Sequence, residues 1–275
     1  MLEVHAPTAR DVLGEKLLYK FRSVADEVQK QRLRDIILGH RIRFARPSEL
    51  NDPLEGKPVY ALGDWSSEPY RQRFADWAWQ TQKHIKSPPP QYAFRAWVLA
   101  QSAAFHERQV ASINEANQRE IEDKWRILSL SAIGTSDLMW AHYADSHKGV
   151  VLVFDASYGE FALAYRVSYT PERVPLDITN NDLTEVLHAT ILTKRDIWAY
   201  EQEYRSVAPE VWEPDTLRLR DQFLHFSPAQ LVGIIFGAKT SPGNEAEIVS
   251  WSAQRECAVQ FSKAKINVVG SVELA

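Results

Sequence analysis

The sequence predicts a single α+β domain spanning residues 1–275, with a mixed, mainly antiparallel sheet and a helical insert at about 65–125. Short apolar strands occupy both ends of the chain, and an Ala-, Gln- and Glu-rich stretch separates them, which favours α+β architecture. No glycine-rich turn follows the first strand, so a doubly wound dinucleotide fold is disfavoured. With 45% hydrophobic and 25% charged residues, the composition is that of an ordinary globular protein.

The N-terminal part reads as strand, helix and strand. Leu17 to Arg22 is short, apolar and aromatic, which is typical of a strand. Val28 to Leu38 carries apolar residues at helical spacing. Ile42 and Phe44 alternate with arginines and predict a second short strand, and the turn residues of Pro47 to Pro53 predict a loop.

The insert and the C-terminal part follow. Glu68 to Lys124 has helical composition, and the prolines of Ser87 to Pro90 divide it into two helices or helical groups. Asp182 to Leu192 and Ala246 to Arg255 are predicted helices. Further strands are predicted at Ile127–Ser131, Gly149–Phe154, Ala164–Tyr169, Tyr204–Ala208, Leu231–Phe236 and near Val259.

Composition also bounds the compartment and the partners. Cys257 is the only cysteine, so no intramolecular disulfide can form, which suits a reducing compartment. Met1 to Arg10 shows no signal peptide, and no apolar run is long enough for a membrane helix. We therefore expect a cytoplasmic protein without membrane contact, or one exported without a cleaved signal. The formal net charge of −4 shows no global attraction to nucleic acid.

Glu201 and Glu203 are the first candidates for chemistry. If one strand begins near Glu201, the two carboxylates share a face and repel each other. A cleft that binds a cationic or electron-poor ligand would explain them. The structural alternative is a solvated strand edge with Arg205 nearby.

Two strands carry polar residues on one face. Lys20 and Arg22 alternate with Tyr19 and Phe21, and two cations inside a sheet need a phosphate or carboxylate partner unless the strand faces water. Ser129 and Ser131 also share a face and could bond either backbone or a ligand.

The segment Trp140 to Gly149 offers two further possibilities. His142, Asp145 and His147 could bind a metal, but their spacing matches no standard zinc pattern, and a structural helix end explains them better. Trp140 and Tyr143 lie three residues apart and could form an aromatic stacking wall.

Several marks, in order through nearly the whole chain, resemble a widespread bacterial family known mainly as a domain of unknown function. They are Leu18–Arg22, Asn51–Glu55, Leu128–Ser131, Met139–Asp145 with His147–Gly149, and Lys194 with Trp198–Arg205.

The order of a first-strand cation, Ser-x-Ser and Glu-x-Glu also resembles the Arg/Ser/Glu group of ADP-ribosyltransferases. Leu130 stands between the serines where that group has threonine. The resemblance implies an ADP-ribosyltransferase-like fold and NAD as the substrate. Its implied roles are Glu203 at the ribose cation and Glu201 at the acceptor, with phosphate held by Arg22 or Lys20. Ser129 would bond the ribose or brace Glu203, Ser131 and Tyr19 would also contact NAD, and Tyr143 or Trp140 would stack on nicotinamide.

The resulting hypothesis is a toxin or phage-defence effector that modifies nucleic acid or protein and is opposed by an antitoxin or immunity partner. Two alternatives stay open. The first is a hydrolase of nucleic acid or sugar that uses Glu201 and Glu203 with His142, Asp145 and His147. The second is a non-enzymatic binding module whose insert grips a partner through tryptophans such as Trp77, Trp79 and Trp97.

Overall fold

A computed structural model describes residues 7–12, 17–82, 87–179, 182–210, 217–268 and 271–274. Residues 1–6 of the N-terminal stretch discussed above lie outside that description. The architecture is α+β with a mixed, mostly antiparallel sheet, which confirms the predicted fold class. Among the helices in these ranges, none combines the length and apolarity that a membrane span requires.

The helices and strands are numbered in chain order. The helices are α1 Ala9–Val12, α2 Glu27–Ile37, α3 Glu68–Thr81, α4 Gln91–Leu99, α5 Ala103–Lys124, α6 Asp137–Tyr143, α7 Leu183–Ile191 and α8 Pro242–Ser252. The strands are β1 Leu17–Arg22, β2 Arg41–Arg43, β3 Trp125–Ser131, β4 Val150–Asp155, β5 Tyr165–Arg166, β6 Ser168–Thr170, β7 Thr193–Arg195, β8 Glu203–Pro209, β9 Phe223–His225, β10 Leu231–Phe236, β11 Gln260–Ile266 and β12 Val272–Leu274.

Eight strands form the central sheet in the order β12-β11-β10-β4-β1-β3-β8-β5, and within it β10 and β11 pair in parallel. Two smaller sheets join β2 to β9 and β6 to β7. The strand β4 is buried from Val150 to Phe154, as its continuous apolar run predicts. Apolar side chains cover both faces of the sheet: α2 and α8 pack on one face, and α6 packs on the other.

The insert contains three helices, α3, α4 and α5, where the prolines predict two helices or groups. It builds its own aromatic core, in which His106 stacks on Trp65 at a ring distance of 4.5 Å and hydrogen-bonds the Tyr70 hydroxyl. Most of its aromatic surface is therefore used internally, although Trp97 stays about half exposed.

The central sheet opens between β1 and β3. The strand β1 pairs with β4 at all six of its residues, whereas within these described strands Tyr19–Ser131 is the one recorded pair between β1 and β3. Beyond that pair Ala45 takes the position opposite β3, exchanging two backbone hydrogen bonds with Ile127. The strands thus diverge inside the sheet, and a cleft lies between them.

Three local predictions differ from the structure. Ala164 to Tyr169 forms the two short strands β5 and β6, because each pairs with a different partner. The strands β7, β9 and β12 are absent from the prediction, since three residues are too few for a clear alternation. Glu201 and Glu203 do not share one strand: Glu201 ends a 3₁₀ helix that begins at Asp196, and Glu203 begins β8.

Candidate functional site

The cleft between β1 and β3 holds a cavity of about 490 Å³, which is within the usual size range of small-molecule sites. One wall comes from β1, α2 and β2 and is cationic. The opposite wall comes from β3, the end of α6 and the segment 194–203, and it contains the acidic residues Glu201 and Glu203. Most of the cations thus come from the first wall, although Lys194 lies on the acidic wall and Glu49 beside Arg43.

A buried network of five charged side chains supports the acidic wall. Lys194 Nζ lies 3.1 Å from Glu55, 2.6 Å from Glu201 and 3.3 Å from Glu203. Arg205 grips Glu203 with two hydrogen bonds, Nε–Oε1 at 2.8 Å and Nη2–Oε2 at 2.9 Å, and also contacts Glu55 at 2.5 Å. Three carboxylates face two cations, so the network has one excess negative charge.

Local backbone geometry brings the two acids together. Gln202, between them, has a left-handed conformation with φ of 41°, which is uncommon for a residue with a side chain. The turn ends the 3₁₀ helix and starts β8, and both neighbouring carboxylates then contact Lys194. The turn, and not a shared extended strand, therefore brings the two carboxylates to the same side.

The environment separates the pKa values of these acids. Burial and the charge of Glu203 raise the pKa of Glu201. Burial alone would also raise the pKa of Glu203, but the charges of Arg205 and Lys194 outweigh it and lower that pKa to about 2. A pair of carboxylates with divergent pKa values is a common sign of an acid–base site.

A hydrogen-bond chain runs from the loop at Asn51 to Glu201. The amide of Asn51 donates to the Tyr143 hydroxyl, which in turn donates to Glu201 Oε1 at 2.6 Å. Burial and this hydrogen bond raise the pKa of Tyr143, so it stays a neutral donor. Tyr143 and Asn51 both line the cavity.

Lys20 and Arg22 on the cationic wall differ in their surroundings, because the negative charges of Glu203 and Glu201 act on Lys20. Lys20 Nζ donates to the Ser129 carbonyl at 2.6 Å across the cleft, and burial together with Arg22 lowers the pKa of Lys20 to about 7. Burial, with Arg32 and Arg43, lowers the pKa of Arg22 to about 10. Within the described residues, no carboxylate lies within salt-bridge distance of Arg22, and its buried Nε has no hydrogen-bond partner. This wall is suited to an anion.

The two serines differ in their surroundings. Ser129 is partly exposed to the cavity and contributes a hydrogen bond that lowers the pKa of Glu203. Ser131 lines the cavity but is almost fully buried, and its hydroxyl donates to the backbone carbonyls of Glu201 at 2.7 Å and Ile133 at 3.1 Å. Its hydroxyl therefore holds the Glu201 backbone and is not directed at a ligand.

Tyr19 lines the cavity, as the sequence predicts, but the stacking role predicted for Trp140 is wrong. Trp140 is fully buried: it packs edge-on against Phe21 at 5.4 Å and donates Nε1–H to the Gly134 carbonyl. No face of its ring is open to a ligand. Of the two aromatics in that segment, only Tyr143 borders the cavity.

The histidines of this segment do not assemble with Asp145. His142 Nδ1 lies 3.1 Å from the Tyr200 hydroxyl, and the His147 ring stacks parallel to Trp140. Across the described ranges, no three His, Cys, Asp or Glu side chains form a group able to hold a metal ion. The structure thus gives the hydrolase alternative no metal-binding cluster at these residues.

Three residues of the site are missing from the sequence prediction of site residues: Glu55, Lys194 and Arg205. Each belongs to a motif that the prediction noted without assigning a role. Two signals were available: Lys194 comes soon after the apolar helix α7, and Arg205 lies within the mostly apolar strand β8. A buried charge at either position needs a partner. Glu55 gives no such signal in its turn-rich loop.

Residues 139–206 match a family described as a protein of unknown function (DUF2971). This supports the resemblance to a domain of unknown function. The DUF2971 segment includes Tyr143, Lys194, Glu201, Glu203 and Arg205, and so supplies most of the acidic wall. The cationic wall lies outside it. Comparison with curated proteins and with solved structures gave no match.

Proposed function

We propose that the protein is an ADP-ribosyltransferase that consumes NAD in the cleft between β1 and β3. The observation that carries the proposal is the convergence of Arg22, Ser129 and Glu203, from three separated segments, on one cavity. Their order in the chain is that of the Arg/Ser/Glu transferases, and the cavity they line contains both a carboxylate and unpaired cationic side chains, which supports the proposal.

Glu203 suits the stabilisation of a ribose cation. Cleavage of the nicotinamide–ribose bond builds positive charge on the sugar, and a fixed carboxylate stabilises that charge most in the transition state. With a pKa of about 2, Glu203 is ionised at every physiological pH. The two-point contact with Arg205 fixes its orientation before substrate binds.

Glu201 suits proton transfer from the acceptor. Its raised pKa brings it closer to neutrality, where a general base works best. Tyr143 holds one of its oxygens, and Lys194 holds the other. We assign Tyr143 as a positioning residue for Glu201 that also offers a ring face to nicotinamide.

Arg22 and Lys20 suit the diphosphate of NAD. A guanidinium without a carboxylate partner gains charge-assisted hydrogen bonds when phosphate binds. The bound phosphate also relieves its repulsion from Arg32 and Arg43. Substrate binding therefore supplies the counter-ions that this wall lacks.

The test compares two substitutions in the same buried network. Glu203→Gln should lower nicotinamide release from NAD on the order of 10²–10³-fold, because it removes the charge at the ribose. Glu55→Gln is the matched control: Glu55 contacts the same Lys194 and Arg205 but does not line the cavity, and we expect less than a tenfold change.

The two variants should lose similar stability, so thermal melting identifies temperatures at which both are folded. Nicotinamide release is then measured by chromatography. Equal activity of wild type and folded Glu203→Gln would overturn the transferase proposal. The proposal would also fail if NAD did not raise the melting temperature of the wild type, because a ligand that binds the folded state must stabilise it.

A role as a toxin or phage-defence effector is part of this proposal. Consumption of NAD or modification of an essential acceptor would harm the producing cell, which is why an antitoxin or immunity partner is expected with it.

A further inference from the structure

We propose that the two-stranded sheet β2–β9, here called the ribbon, binds single-stranded nucleic acid and presents one of its bases to the cavity. This inference deepens the proposed function and rests on it, because it names the acceptor class. It draws on residues outside the acid pair and outside the DUF2971 segment.

The register of the ribbon puts its polar residues on one face. Arg41 pairs with His225, Ile42 with Leu224 and Arg43 with Phe223. Directly opposed residues of antiparallel strands point to the same face of the sheet, and successive pairs along the strands point to opposite faces. The middle pair is buried in the core. The outer pairs therefore share the opposite face; their members are Arg41, Arg43, Phe223 and His225.

This face adjoins the cavity, which further cations also line. Arg41, Arg43 and Phe223 line the cavity together with Arg32 on α2 and Arg22 on β1. Two carboxylates oppose these charges: Asp35 lies 3.1 Å from Arg41, and Glu49 lies 2.9 Å from Arg43. Among the residues that the structure describes, Arg22 and Arg32 have no carboxylate within salt-bridge distance. The wall is thus left with excess positive charge in a protein whose net charge is −4.

The number of cations exceeds what the diphosphate of NAD requires. Lys20, which interacts with Glu203 and Glu201, and its neighbour Arg22 account for that group. Arg32, Arg41 and Arg43 remain toward the mouth of the cavity, where the side chains of Arg41 and Arg43 are 42% and 33% exposed. A second anionic molecule entering from solvent would meet these three first.

An aromatic ring among these cations favours nucleic acid over an acidic peptide. The Arg41 guanidinium lies over the Phe223 ring, 4.8 Å from its centre. Aromatic side chains within a cationic groove are the usual platform for unpaired bases, and stacking accounts for much of the affinity. Since a base must leave its helix to reach an enclosed site, single strands are favoured over duplexes.

The experiment measures the fluorescence anisotropy of labelled single-stranded DNA and RNA of about 12 nucleotides, a length suited to one such site, with the full chain and without NAD. We expect both single strands to bind more tightly than a duplex of equal length. The Arg41→Gln/Arg43→Gln double variant should weaken binding roughly tenfold and lower the salt slope by about 0.7 per lost phosphate contact. Phe223→Leu, which keeps an apolar side chain and removes the ring, should weaken it about tenfold through lost stacking.

Arg119→Gln is the control, because it also breaks an exposed arginine–glutamate pair but lies on α5, outside the cavity lining. Unchanged binding by this variant together with weakened binding by the double variant supports the ribbon. Equal binding by the double variant and the wild type, or equal affinity for polyglutamate, overturns it. The binding experiment contains no NAD, so its result can be interpreted even if the protein does not cleave NAD. Conversely, the Glu203→Gln comparison can be interpreted even if the ribbon does not bind nucleic acid.

Discussion

At the scale of single residues, Arg22 carries a charge that should cost stability. Burial of its guanidinium and the charges of Arg32 and Arg43 lower its pKa to about 10, and no carboxylate of the described residues lies within salt-bridge distance of it. Replacement by glutamine removes this repulsion without leaving an unpaired charge behind.

We therefore expect Arg22→Gln to raise the free energy of unfolding by about 1 kcal/mol, after allowance for solvent screening, and to abolish stabilisation by NAD. Urea melts with and without NAD measure both effects. A variant less stable than the wild type would show that Arg22 has a structural partner, and one that still gains stability from NAD would remove it from the phosphate site.

The same scale shows what the sequence could predict about the site. Arg22, Ser129 and Glu203 could be found because each stands in a short motif with an unusual charge or hydroxyl pattern. Lys194 could not be assigned a role, because its contacts with Glu201 and Glu203 depend on the turn at Gln202 and its third partner, Glu55, lies far away in the chain. Trp140 was wrongly assigned because spacing cannot tell a ring that lines a cavity from one that fills the core.

At the scale of elements, the turn at Gln202 determines the position of both acids. A β-branched residue disfavours the left-handed conformation there. We expect Gln202→Val to destabilise the fold by about 1–2 kcal/mol and to lower nicotinamide release as the carboxylates shift.

Gln202→Asn is the control for this prediction, because asparagine adopts the left-handed region readily and should change little. Urea melts and activity are measured on both variants. If valine and asparagine gave the same stability, the turn would be tolerant and the strain argument would fail.

Elements with a long apolar signal were predicted well: the helical spacing of apolar residues identified α2 and α7, and a continuous apolar run identified β4. The short strands β9 and β12 were missed, and Ala164–Tyr169 was read as one strand, because their extended conformation depends on partners distant in the chain. The opening between β1 and β3 could not be predicted either, because no local sequence pattern indicates where two strands diverge.

At the scale of the whole molecule, the buried network should shape acid stability. The folded pKa of Glu203, about 2, lies below its ordinary value of 4.5. Its stabilising contribution is therefore complete above pH 4.5 and is lost as the pH falls from 4.5 toward 2. At neutral pH, Glu203→Gln should cost about 1.5–3 kcal/mol. Arg205 loses its charge-assisted hydrogen bonds to Glu203, while Glu55 and Glu201 remain as counter-ions of Lys194 and Arg205.

The difference in unfolding free energy between wild type and Glu203→Gln should accordingly shrink as the pH falls below 4.5. Denaturant melts at a series of pH values measure it. A difference that stayed constant from pH 6 to pH 3 would show that Glu203 is not held as a carboxylate by Lys194 and Arg205.

The opening in the sheet also determines when the site can exist. Lys20 and Ser129, which meet across it, stand 109 residues apart in the chain, and the acid pair follows later still. Because synthesis proceeds from the N-terminus, a nascent chain carries the cationic strand β1 long before Glu201 and Glu203 emerge from the ribosome. Neither a truncated chain nor a half-folded one would then hold a complete pocket, and the protein would stay inert until its last central strand had docked.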